Sequence, residues 1–215
     1  MKKTKKTMSG ALVVAMMFAV AGLAVENAQA GTSSSNTVVN LTVDPLMNVA
    51  CTGTVTMGNI LLGTGKSNLT TNTAACTVKT NASNGYSLAL KAQTAVNMTS
   101  GSDTIAPITA AGAVPVIWDA TAVPATASGW GFRLSSTSTT ADAKWGTDDQ
   151  SAVNYGTTAK WYKAATTDYA LVTRASETTF AGDTENINFG AEVGASMLQP
   201  TGTYTNTVVI TGTSL

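Results

Sequence analysis

The 215-residue chain contains no histidine. That absence removes the Ser-His-Asp and Cys-His arrangements of nucleophilic catalysis, together with the commonest metal ligand. Charge is scarce as well: Asp, Glu, Lys and Arg make up 11% of the residues, against about 25% in ordinary soluble chains. Only two cysteines occur and they form no C-x-x-C pair, so neither a dithiol redox centre nor a thiolate zinc site has its ligands. Long stretches rich in Ala, Leu, Glu and Lys, the composition of extended helix, are also missing.

One long apolar run does occur, at the N-terminus. Lys2, Lys3, Lys5 and Lys6 precede Ala11 to Val25, and Ala28-Gln29-Ala30 places small residues where a signal peptidase reads. The pattern predicts a signal peptide over residues 1–30 and a secreted or cell-surface protein starting at Gly31. No C-terminal hydrophobic tail follows, so no membrane span is expected after cleavage. The remaining 185 residues hold eight basic and eleven acidic side chains. With no basic patch among them, nucleic acid is not an expected partner. In an oxidising compartment the two cysteines predict one disulfide, Cys51–Cys76. Closing that loop would stabilise by roughly 3 kcal/mol on a chain-entropy account.

Thr, Ser, Ala, Gly and Asn dominate what is left, a mixture of strand and turn formers. Residues 31–36 read as a flexible tail and residues 37–215 as one domain. Within it, Thr37 to Asp44 alternates as a strand, with Val39, Leu41 and Val43 on one face, and stops at Asp44-Pro45. Val49, Cys51, Val55 and Met57 continue the alternation. Asn84-Gly85 predicts a hairpin between TVKT and YSLAL. Further strands are expected at Gly129–Leu134, Tyr169–Thr173 and Thr184–Val193, with an exposed polar loop at Ser135–Asp142. The last strand, Tyr204 to Thr211, is expected inside a sheet, with Tyr204, Val208 and Ile210 on one face. Nine to eleven short strands predict an all-β fold: a β-sandwich with Greek-key connections, or else a closed barrel.

Chemistry has few footholds in this composition. Carboxylates at Asp142, Asp148, Asp149, Asp183, Glu185 and Glu192 are the only acid-base candidates, and most fall in turn-like contexts. Asp148-Asp149 and the Asp183–Asn186 run offer oxygen ligands without the spacing of a calcium loop. No catalytic residue, metal site or cofactor is therefore expected. The four tryptophans lie within 44 consecutive residues. Trp118 and Trp130 have apolar neighbours and read as core. Trp145 and Trp161 are flanked by Lys144 and Lys160 and read as exposed candidates for stacking on a glycan.

Two stretches carry a resemblance. Cys51, the short segment MGNILLG, Cys76 and the Y-x-L-x-L strand from Tyr86 resemble the first half of secreted bacterial pilin-like domains. Chaperone–usher pilins and spore coat protein U-type domains are of this kind. QPTGTYTNTVVITGT resembles their closing strand. The match spans about 60 mature residues. It implies an immunoglobulin-like sandwich whose first strands are joined by Cys51 and Cys76. It also implies a non-enzymatic pilus, coat or surface subunit in which Thr37–Val43 adds to a neighbour's sheet through Val39, Leu41 and Val43. Ser214 stands where such pilins carry an aromatic residue. Self-association or binding to other surface proteins is the expected partnership. A secreted adhesin or carbohydrate-binding module using Trp145 and Trp161 is the alternative.

Overall fold

Period-two burial sets the architecture. Ala74, Cys76, Val78 and Thr80 are buried along Thr73–Thr80, and Tyr86, Leu88, Leu90 and Ala92 along Tyr86–Ala92. Each set points one side of a strand toward a common interior. The computed structural model describes residues 38–60, 65–67, 72–110, 112–119, 121–147 and 155–215. The expected signal peptide and tail lie outside them. The chain divides after Thr42, and Val43–Leu215 forms one compact unit.

That unit is an all-β sandwich. In chain order the described strands are β1 (Met47–Cys51), β2 (Thr73–Thr80), β3 (Tyr86–Ala92), β4 (Met98–Ser100), β5 (Asp103–Ile105) and β6 (Val116–Ile117). They continue with β7 (Ser128–Leu134), β8 (Lys160–Lys163), β9 (Tyr169–Arg174), β10 (Asp183–Val193) and β11 (Val208–Ser214). One sheet has the order β1-β2-β10-β7-β8-β6, the facing sheet β11-β3-β9, and β4-β5 is a separate hairpin. Every strand pair is antiparallel. The core between the sheets takes Val78 from β2, Leu88 and Leu90 from β3, Phe132 and Leu134 from β7, Leu171 from β9 and Ile187 from β10.

The Asn84-Gly85 turn does not close a hairpin. β2 already has β1 and β10 on its two edges, and β3 has β11 and β9, so the turn carries the chain from one sheet to the other. Gly85 sits at φ +80°, and a Cβ there would collide with the Arg174 carbonyl. The Ser135–Asp142 segment is not simply an exposed loop either. Ser135 N–H donates to Asn186 O and Thr139 N–H to Thr184 O, each at 2.8 Å, so the segment runs beside the start of β10. Ser135 and Ser138 are buried there.

The six-stranded sheet is covered on its second face as well. Ile108, Trp118, Ala122, Val123, Tyr155 and Trp161 form a separate apolar cluster. Glycines on the sheet let it approach. A Cβ at Gly131 would meet Ile108 and the Tyr162 carbonyl, and one at Gly190 would meet the rings of Tyr155 and Trp161. Glycine inside a strand often marks such close approach.

Candidate functional site

β1 and β11 are edge strands at one margin of the sandwich; β6 and β9 end the same two sheets on their other sides. Each lies at the end of its sheet order, β1 bonded to β2 alone and β11 to β3 alone among the described residues. Each therefore presents one row of backbone N–H and C=O groups without a strand to pair. β11 was expected inside a sheet. It is an edge, because β3 has already taken β9 on its other side.

The two edges lie side by side at the same margin of the sandwich. The space a Cβ would need at Gly212 of β11 is taken by Met47 Cε and Val49 Cγ2 of β1. Along this margin the inward side chains are incompletely covered. Met47, Val49 and Cys51 on β1, Val55 and Met57 beyond it, and Tyr204, Val208 and Ile210 at the other wall all pack on the core yet remain half-buried. Elsewhere in the core, Leu88, Leu134, Leu171 and Ile187 are sealed. The sandwich is left with an apolar seam flanked by two unpaired strand edges. Cys51–Cys76 fixes one wall of it: the two cysteines are direct register partners in the β1–β2 pair.

Val39, Leu41 and Val43 are the candidate strand-addition residues. All three are exposed, and no strand is assigned to Val38–Leu46. The strand expected from Thr37 therefore does not form here; Thr37 itself is outside the described residues. The chain becomes anchored just after this segment. Leu46 N–H donates to Asn81 Oδ1 at 2.7 Å, and Asn81 Nδ2 donates back to the Asp44 carbonyl at 2.9 Å.

The tryptophans expected at the surface are buried. Trp145 packs among Phe132 and Tyr169, and its indole N–H donates to Leu171 O at 2.9 Å. Trp161 stacks on Tyr155 and donates to the Tyr155 carbonyl at 3.1 Å. On β8, Trp161 and Tyr162 point to opposite faces, and both faces are covered. Neither indole offers a free face for a sugar ring, so the stacking role loses its physical basis. Trp118 and Trp130 are core, as expected.

The carboxylates have structural partners. Asp183 and Glu185 are buried on β10 around one phenol: Tyr86 Oη donates to Glu185 Oε1 at 2.7 Å and lies 3.1 Å from Asp183 Oδ2. Arg174 Nη1 donates to Asp183 Oδ2 at 2.7 Å. Asp142 caps the short 3-10 turn Ala143–Trp145 through Lys144 N–H. Asp148 and Asp149 are outside the described residues.

Glu192 accepts from the Trp118 indole N–H and lies 3.9 Å from Lys66 Nζ. Burial raises its carboxyl above the ordinary value; Lys66 and the indole oppose that only partly. A carboxyl raised on folding binds more protons in the native state than in the unfolded one. Ionised Glu192 therefore costs stability, and the cost grows as pH rises above the ordinary glutamate range. Glu192→Gln keeps an acceptor for the indole and removes the titration. It is expected to raise stability at neutral pH relative to the parent. Urea melts at acid and neutral pH check this: a variant less stable than the parent at neutral pH would contradict it.

No family model, curated protein or solved structure matches this chain. The functional reading below rests on its own residues and fold.

Proposed function

We propose that the protein is a non-enzymatic structural subunit of the bacterial surface type, assembling by β-strand addition. Its carrying observation is the seam between β1 and β11: two unpaired edges with half-covered core side chains between them. A strand entering the seam would gain backbone hydrogen bonds from an edge and place alternate side chains over the open core. Val39, Leu41 and Val43 supply that alternation in an exposed segment of the same chain, so a second copy is a ready donor. Burying one Val or Leu contributes about 1.5–3 kcal/mol. Three such side chains offset much of the cost of ordering the segment. The leader pattern and the Cys51–Cys76 disulfide support a subunit that works outside the cytoplasm, in an oxidising environment.

The test is the mass distribution of the mature protein by light scattering, with and without residues 31–44. Concentration-dependent oligomers that disappear on truncation, and in Leu41→Asp, are the expected result. Aspartate at Leu41 would carry a charge into the apolar seam. A monomer in all three preparations, or oligomers indifferent to both changes, would overturn the reading.

A further inference from the structure

Asp44–Pro45 is the only Asp-Pro bond in the sequence, and it lies where the exposed segment Val38–Leu46 meets β1. Such a bond carries the means of its own breakage. The aspartate carboxyl can close a five-membered ring on its own backbone carbonyl. Proline's nitrogen, fully substituted and without an N–H, then leaves as a secondary amine.

The fold grips this bond from outside. Met47 pairs with Thr80 at the end of the β1–β2 ladder, so Leu46 and Asn81 come next on the two strands. There the Asn81 side chain takes over from the backbone. Leu46 N–H donates to Asn81 Oδ1 at 2.7 Å, and Asn81 Nδ2 donates to the Asp44 carbonyl at 2.9 Å. One amide thus brackets Pro45. Asn81 follows directly on β2, whose last residue is itself secured. Thr80 N–H donates to Thr178 Oγ1 and Thr178 N–H to Thr80 O, both at 3.0 Å.

The oxygen that Asn81 donates to is the one on which negative charge develops when the Asp44 carbonyl is attacked. A placed donor of that kind stabilises the tetrahedral intermediate. The nucleophile is at hand as well. Asp44 is exposed, and its carboxylate has no hydrogen bond or ion pair among the described residues. Nothing holds it away from its own carbonyl carbon, and attack within one residue carries no cost of bringing two molecules together.

We propose that Asp44–Pro45 is a self-cleavage site in acid, with Asp44 as nucleophile and Asn81 as donor to the developing oxyanion. A carboxyl oxygen of Asp44 bonds to the Asp44 carbonyl carbon. The bond from that carbon to the Pro45 nitrogen breaks, and the nitrogen takes the proton that the carboxyl carried. One water then opens the cyclic anhydride, leaving two carboxyls on Asp44 and a free secondary amine on Pro45. Cleavage goes beyond strand addition and does not require it. Under the strand-addition reading the larger product keeps its seam and loses Val39, Leu41 and Val43, so acid would uncouple donor from acceptor.

Intact mass measured over time on the mature chain tests this, at the lowest pH where far-UV circular dichroism stays native. Two products are expected, one ending at Asp44 and one starting at Pro45. They should form about tenfold faster or more than from the same chain unfolded in urea at that pH, which keeps the bond and loses the donor. Asn81→Ala, at an exposed position, is expected to melt as the parent does and to cleave at the unfolded chain's rate. Asp44→Asn should not cleave. No cleavage of the folded parent, a rate no faster than in urea, or a parental rate in either variant would overturn the proposal. The products are read by mass whether or not copies associate, so any of these failures leaves strand addition standing.

Discussion

Raising the pH beyond 10 is expected to unfold the protein cooperatively, with Tyr86 and Tyr155 ionising only as it unfolds. Burial is the main cause at both phenols, each held well above its ordinary value of 10.0. Tyr86 is enclosed between the two sheets, and the neighbouring Glu185 and Asp183 carboxylates further disfavour a tyrosinate. Tyr155 lies in the outer cluster, its hydroxyl shared with Ser67 Oγ at 2.7 Å and Ala191 O at 2.8 Å. Above pH 10 the unfolded chain releases protons that these native phenols retain, so stability falls as pH rises. Each such group contributes a slope of about 1.4 kcal/mol per pH unit, and two give about 2.7. A domain with a total stability of about 5–15 kcal/mol does not withstand that for many units. Tyr169, pushed up to about 12 mainly by burial, adds to the same loss between pH 10 and about 12. Tyrosinate absorbance followed beside far-UV circular dichroism checks the coupling. Normal titration of all five tyrosines with the dichroism unchanged would refute it.

Loss of the Cys51–Cys76 bond is expected to cost both stability and assembly. Its 25-residue separation corresponds to roughly 3 kcal/mol of loop-closure entropy, or about 6–12 °C in Tm for a domain of this size. The local effect reaches further. β1 pairs with one strand, is five residues long and has only half-buried inward side chains. Without the crosslink it is held to the sheet by one neighbouring strand alone, and it is also a wall of the proposed acceptor seam. Cys51→Ala/Cys76→Ala is therefore expected to melt at lower temperature and to remain monomeric where the parent assembles. An unchanged Tm would refute the first effect. A destabilised variant that still assembles would show that β11 suffices as acceptor.

Much of the fold was legible because period two and turn chemistry agree locally. Gly129–Leu134, Tyr169–Thr173 and Thr184–Val193 match β7, β9 and β10 to within a residue or so at each end, and the disulfide followed from two cysteines behind a leader-like N-terminus. Tertiary pairing was less legible. Asn84-Gly85 has the residues of a hairpin, yet a turn sequence cannot show that both flanking strands will find other partners. For the same reason β11 could be placed as a strand but not as an edge. Trp145 and Trp161 misled through their lysine neighbours. On β8, Lys160 and Lys163 are only half-buried while the two residues between them are enclosed on opposite faces. The signal that could have corrected this was present in GWGF and NFGAE, strand glycines that leave room for a layer over the sheet. The seam itself had half a signal: Val39, Leu41 and Val43 alternate, but what they might cover is visible only once β1 and β11 are seen to lack a strand each.

The position of the disulfide also has a mechanical meaning. A chain pulled from its N-terminal side loads β1 first, at Met47, and peels its bonds to β2 one register pair at a time toward Cys51. At Cys51↔Cys76 peeling stops, because the next connection is covalent. Only the four pairings from Met47 to Ala50 can yield before tension passes into β2, which is bonded along its other edge to β10. A domain tensioned in this way would give by the few residues of β1 and then hold, with the load carried past an edge strand into the middle of the sheet.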